Sequence, residues 1–101
     1  MKKRNIKALV NKAIRESGYA GKIEKASLFG SYVRGDQTEK SDLDLLVEFD
    51  PGAHITLFDL VDIQEALEKT LGIRVDILTP GALSPYIKDD ILNEARSVYE
   101  R

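Results

Sequence analysis

Two short features of this sequence combine residue types that can do chemistry together: the pair Gly30-Ser31 and, after ten intervening residues, the triplet Asp42-Leu43-Asp44. Glycine lets the backbone approach an anion closely. A serine hydroxyl and the N–H groups opening a helical turn can donate to phosphate oxygens. In a strand, residues two apart share a face, so Asp42 and Asp44 point together while Leu43 and Leu45 enter the opposite layer. Adjacent carboxylates repel unless a cation joins them. Mg2+ takes hard oxygen ligands, often one or two protein carboxylates, and completes its shell with water and substrate phosphates. A phosphate cradle beside an acid pair is the outline of metal-assisted phosphoryl or nucleotidyl transfer.

Other polar residues gather around that outline. Asp76 interrupts the apolar run Ile73-Arg-Val-Asp-Ile-Leu78, where an exposed sheet face is its ordinary explanation. If that strand neighbours the one bearing Asp42 and Asp44, Asp76 completes a three-carboxylate cluster able to hold one or two divalent ions. Arg74, on the same strand face, can balance the charge or touch substrate. Arg34 follows Ser31 by one helical turn, within reach of a phosphate or of Asp36 and Glu39. His54, the sole histidine, falls in a loop with no sequence partner, and solvation rather than catalysis is its expected state.

The elements that must position these residues follow from periodicity. Ile6, Leu9, Val10, Ala13, Ile14 and Ser17 keep helical spacing up to Gly18, with the basic residues on a solvated face. Residues 23–29 form a first strand that delivers Gly30-Ser31, residues 31–34 a helical piece ended by Gly35, and residues 36–41 an exposed, mobile loop. A second strand spans 42–49 up to the turn Asp50-Pro51-Gly52. Thr56 and Asp59 open the next helix in a capping-box arrangement, Leu57, Leu60, Val61, Leu67 and Leu71 form its apolar stripe, and Gly72 closes it. Its acids, Asp59, Asp62, Glu65 and Glu68, form the wet side. After the strand at 73–78, Ser84-Pro85 starts a final helix with a stripe of Ile87, Ile91, Leu92, Ala95, Val98 and Tyr99, packed beside the first helix. The fold class expected is α/β (α+β): a small mixed sheet of three or more strands, helices packed mainly on one face, and the opposite side open for substrates.

With 101 residues, 43% hydrophobic and 32% charged, residues 1–101 are expected to form one small globular domain. No apolar run approaches the ~20 residues of a membrane span, and the charged start, Met1 to Arg4, is followed by an amphipathic segment rather than an export signal. The absence of cysteine removes disulfides, zinc–thiolate sites and thiol nucleophiles, and makes the cytoplasm the default compartment. A net charge of −2 offers no broad attraction to nucleic acid. Phe49, Ile55, Phe58 and Tyr86 are candidates for a partner surface, including one between copies of the chain.

The pattern Gly-Ser, ten residues, Asp-x-Asp resembles the signature of the nucleotidyltransferase superfamily typified by DNA polymerase beta. Its short form here, Gly30-Ser-Tyr-Val-Arg-Gly35 followed by Ser41-Asp-Leu-Asp-Leu45, resembles the minimal nucleotidyltransferases, antitoxins to HEPN-domain toxins, over nearly the whole chain. The resemblance implies a polymerase beta-like nucleotidyltransferase fold. It also implies ATP held at Gly30 and Ser31, with Arg34, whose more common fate is a surface ion pair, a secondary nucleotide-binding candidate from its position, and two Mg2+ ions held by Asp42, Asp44 and Asp76, the last matching the superfamily's third acid. AMP would pass to a hydroxyl, in that branch a toxin tyrosine, with Asp76 taking its proton. Three other readings fit parts of the sequence. They are a small-molecule nucleotidyltransferase of the aminoglycoside kind served by a partner subunit, a toxin-masking module without catalysis, and a surface strand edge beside a simple turn.

Overall fold

The computed structural model describes residues 5–101, so the charged start, Met1 to Arg4, lies outside the described residues. Four helices and four strands follow in the order α1 (Ile6–Glu16), β1 (Ile23–Phe29), α2 (Ser31–Arg34), β2 (Leu43–Phe49), α3 (Leu57–Leu71), β3 (Val75–Leu78), α4 (Pro85–Glu94) and β4 (Arg96–Glu100). The sheet order is β3-β2-β1-β4, antiparallel except for the β2/β3 pair, which the α3 crossover makes parallel.

Alternation along the strands sorts the side chains into two layers. Ala26 and Leu28 of β1, Leu43, Leu45 and Val47 of β2, and Val75 of β3 face α1 and α3, which contribute Val10, Ala13 and Ile14, and Ile63, Leu67 and Leu71. All are buried. Full burial of such aliphatic side chains stabilises by about 1.5–3 kcal/mol each. The predicted capping box on α3 is present: the Thr56 hydroxyl accepts from the Asp59 N–H at 3.3 Å, and Asp59 accepts from the Thr56 N–H at 2.9 Å.

Two expectations about the helices are corrected. On α3 the buried line runs through Ile63, Leu67 and Leu71, whereas Leu57 and Val61 are exposed, because at ~100° per residue they are turned roughly 80–120° away from Leu67 around the helix. Its acid face is also not merely wet: Glu68 accepts from the Val75 N–H at 2.9 Å, tying the helix to the start of β3.

The final helix stops at Glu94, and Val98 and Tyr99 are buried in a strand instead of on a helical stripe. Ala95 is extended, with ψ of 140°, and Arg96–Glu100 pairs with β1 across the register Leu28↔Arg96 to Lys25↔Glu100. Nor does α4 sit beside α1. Ile91 and Ala95 pack with Leu83 against Phe29 and Leu46, on the sheet face away from α1 and α3. The neighbours of α1 are α3 and β4, and Asn11 of α1 donates to the Val98 carbonyl at 3.0 Å. Of the anticipated partner surface, Phe58 and Tyr86 are exposed, whereas Phe49 packs on the core. Among the described residues, no helix is long and apolar enough to cross a membrane.

Candidate active site

β1 ends at Phe29, which pairs with Asp44, so the chain leaves the sheet at Gly30 directly beside the first residues of β2. Gly30 has φ 77° and ψ −151°, a conformation almost confined to glycine. A Cβ there would fall on the Asp44 carboxylate, so the glycine both permits the turn and leaves room for the acid. The chain then turns sharply into α2. The Gly30 carbonyl accepts from the N–H groups of Val33 and Arg34, and Gly35, at φ 82°, closes the turn by donating to the Ser31 carbonyl at 2.9 Å. Ser31 is therefore the first residue of the helical turn, where N–H groups lack intrahelical acceptors.

The acids reach the same place from the sheet. Asp44 and Asp76 stand opposite each other in the parallel β2/β3 register, on the face away from Leu43, Leu45 and Val75. Asp42 precedes β2 by one residue, its approach shaped by the loop before it: Ser41 accepts from the Thr38 N–H at 2.8 Å and returns its own N–H to the Thr38 carbonyl at 3.1 Å. Arg74, just ahead of β3, lies 3.8 Å from Asp42 and is 85% exposed. A cleft of about 630 Å3 opens beside this pair, lined in part by Lys40, Gln64 and Glu68.

Burial holds the Asp44 carboxyl above the ordinary carboxylate range, and repulsion from Asp76 and then Asp42 raises it further, with Arg34 opposing. The two strands thus concentrate negative charge at one point. Among the described residues, no three acidic or histidine side chains are drawn close enough to form a ready-made metal cage. An open set of two or three aspartates suits Mg2+, which keeps several waters and shares its shell with substrate phosphates.

Of the expected site residues, Gly30 lies against Asp44 and Asp44 faces Asp76 across the β2/β3 register, while Ser31 opens α2 and Asp42 immediately precedes β2. Arg34 joins them, paired with Asp36 at 3.3 Å as anticipated, and also with Glu94 at 2.9 Å rather than with Glu39. Sequence reasoning missed Glu94. It comes from the end of α4, and only the unforeseen strand β4 brings it here. His54 is exposed beyond the other end of β2, remote from Asp44 along the strand.

Comparison with known proteins agrees with this geometry. The nucleotidyltransferase domain family matches residues 7–98. A Methanocaldococcus jannaschii protein provisionally named a protein adenylyltransferase is 50% identical over 76 residues, 75% of this chain and 80% of its own length. The protein adenylyltransferase MntA of Thermococcus cleftensis is 38% identical over 72 residues, 71% of either chain. A solved structure provisionally described as a minimal nucleotidyltransferase superposes with a TM-score of 0.73 at 37% identity, covering 90% of both chains. A complex of tri-AMPylated Shewanella oneidensis HEPN toxin with MNT antitoxin is similar in fold, with a TM-score of 0.62 at 18% identity over 89% of this chain and 66% of that one. With residues 7–98 matched by the family and relatives up to 50% identical over most of its length, the chain belongs to the nucleotidyltransferase family, among the minimal nucleotidyltransferases, and is an enzyme of that class.

Proposed function

We propose that the chain transfers AMP from ATP to a protein hydroxyl, a tyrosine of a HEPN-domain toxin, and thereby acts as an antitoxin. The observation that carries this reading is that Gly30, just before Ser31, leaves room for the Asp44 carboxylate, with Asp76 facing Asp44 across the β2/β3 register. Relatives named as protein adenylyltransferases support the donor and the class of acceptor, and the toxin-bound neighbour supports the partner.

In this reading the Ser31 hydroxyl and the first N–H groups of α2 hold the triphosphate, with Arg34 alongside. The acceptor oxygen attacks the α-phosphorus in line: the new O–P bond forms as the bond to the β-phosphate oxygen breaks, and pyrophosphate leaves. Asp76, exposed at the sheet edge, takes the hydroxyl proton. Asp42, Asp44 and Asp76 are the residues that would hold Mg2+, which when bound supplies charge neutralisation of the triphosphate and a more acidic acceptor hydroxyl.

Incubation with α-labelled ATP, Mg2+ and the candidate toxin, followed by intact mass measurement, tests the reading. Whole AMP units should appear on the toxin with wild type and be absent with Asp44→Asn. Neutralisation that survives Asp44→Asn without mass gain would show masking instead of catalysis, and AMP on a small molecule alone would move the acceptor to that class.

A further inference from the structure

The β1/β4 pairing carries a consequence for Arg34. Leu28 stands opposite Arg96 in the β1/β4 register, and Glu94, the last residue of α4, precedes Arg96 by two residues. Pairing of β4 with β1 thus brings the end of α4 to the end of the sheet where β1 runs into Gly30 and α2. The turn carrying Glu94 is fixed by Arg96, whose Nη1 donates to the carbonyls of Asn93, Glu94 and Ala95 at 3.3, 2.8 and 3.2 Å, satisfying the end of α4. Glu94 is itself only 25% exposed, and Ala95 beside it is packed against Phe29 and Leu46.

From this anchored position Glu94 accepts from Nη1 of Arg34 at 2.9 Å, while Asp36 accepts from Nε at 3.3 Å. Two edges of the guanidinium are occupied. Nη2 has no protein partner among the described residues. A planar guanidinium held at two edges presents its remaining donors in a fixed direction, the arrangement that suits phosphate oxygens. Arg34 stands in the same short helical turn as Ser31, three residues further on.

We infer that Glu94 is a positioning residue: it holds the Arg34 guanidinium against the phosphate cradle so that Arg34 engages the β- and γ-phosphates of the donor nucleotide. This rests on the nucleotidyl-transfer reading above. It also gives the α4–β4 junction a task in the site, joining two segments 60 residues apart in sequence.

The test is calorimetric binding of ATP and of AMP, each with Mg2+, to wild type, Glu94→Gln, Glu94→Asp, Arg34→Ala and the Arg34→Ala/Glu94→Gln double variant, with thermal unfolding of each as the control for folding. Glu94→Gln should weaken ATP about tenfold, the scale of one charge-assisted hydrogen bond, and change AMP affinity less than about twofold. Glu94→Asp should recover part of the loss, and Glu94→Gln should add nothing once Arg34 is alanine. Unchanged or tighter ATP binding by Glu94→Gln would overturn the inference, as would additive losses in the double variant. Should Glu94→Gln not fold, the Glu94→Asp and Arg34→Ala comparison decides in the same way. Wild type that binds no ATP at all would instead overturn the nucleotidyl-transfer reading, and this inference with it.

Discussion

The Asp44 carboxylate occupies the space that a side chain at Gly30 would need, so the turn that ends β1 and the first acid inside β2 can coexist only with glycine at position 30. Gly30→Ala faces two penalties, a backbone conformation that side chains avoid and displacement of Asp44. We expect a stability loss of about 1–3 kcal/mol and a loss of transfer of about 100-fold or more, since a shift of about 1 Å at a reacting centre has that effect. Gly18→Ala is the control: φ there is 86°, with nothing within 4 Å of the added carbon. It should lose stability by about 1–2 kcal/mol and keep its activity. Equal activity losses in the two variants would show that strain, not the Asp44 contact, governs the site.

Tyr19 links the start of the sheet to α3, its hydroxyl lying 3.1 Å from a carboxylate oxygen of each of Asp59 and Asp62. Burial and then hydrogen bonding to the two acids push its pKa from an ordinary value of 10.0 up to about 12. The unfolded chain therefore releases this proton earlier than the folded one. The link's stabilisation is complete below pH 10 and is lost as pH rises towards 12. Urea unfolding midpoints across that range should fall more steeply for wild type than for Tyr19→Phe, and parallel curves would remove the link from the account. Absorbance titration should also show one of the four tyrosines ionising late.

Arg74 and Asp42 lie 3.8 Å apart with the arginine 85% exposed, a geometry that contributes little in water. Arg74→Ala should change the unfolding free energy by no more than about 0.5 kcal/mol. Transfer can then be compared without a folding correction. A rise in KM at unchanged kcat would assign Arg74 to ground-state substrate binding, whereas a marked fall in stability would make it part of the scaffold.

The legible parts of this fold were those fixed by local chemistry. Gly30, Gly35 and Gly72 stand at positive φ where the sequence placed breaks, and Thr56 with Asp59 caps α3 as its spacing indicated. That Asp44 and Asp76 share a face follows from strand alternation once β2 and β3 pair, a neighbourhood the sequence offered only as a condition. The end of α4 was not legible. Ile87, Ile91, Ala95 and Val98 continue a helical period across a junction marked by neither glycine nor proline, and Ser97, Val98 and Tyr99 suit a strand equally well. Pairing with β1, some 70 residues earlier in the chain, settles the choice. Glu94 and its grip on Arg34 went unread for the same reason. The exposure of Leu57 and Val61 was hidden as well, because a stripe drawn through every apolar residue of the helix is wider than the face the sheet covers.

The site should weaken the protein that carries it. Burial and the neighbouring Asp76 and Asp42 raise the Asp44 pKa, so the folded state holds this proton more tightly than the unfolded chain does. Without a bound cation, stability is fullest below the ordinary carboxylate range and declines as pH rises from there through the raised folded value. Asp44→Asn removes the charge but keeps the shape, so in EDTA it should unfold a few degrees higher than wild type, about 2–6 °C, although it transfers no AMP. Addition of Mg2+ and ATP should reverse the order, because wild type gains stability by binding them and the variant gains less. An Asn variant that unfolds lower than wild type in EDTA would mean that the carboxylate is already satisfied within the protein, and that the acids are a structural feature of the sheet edge.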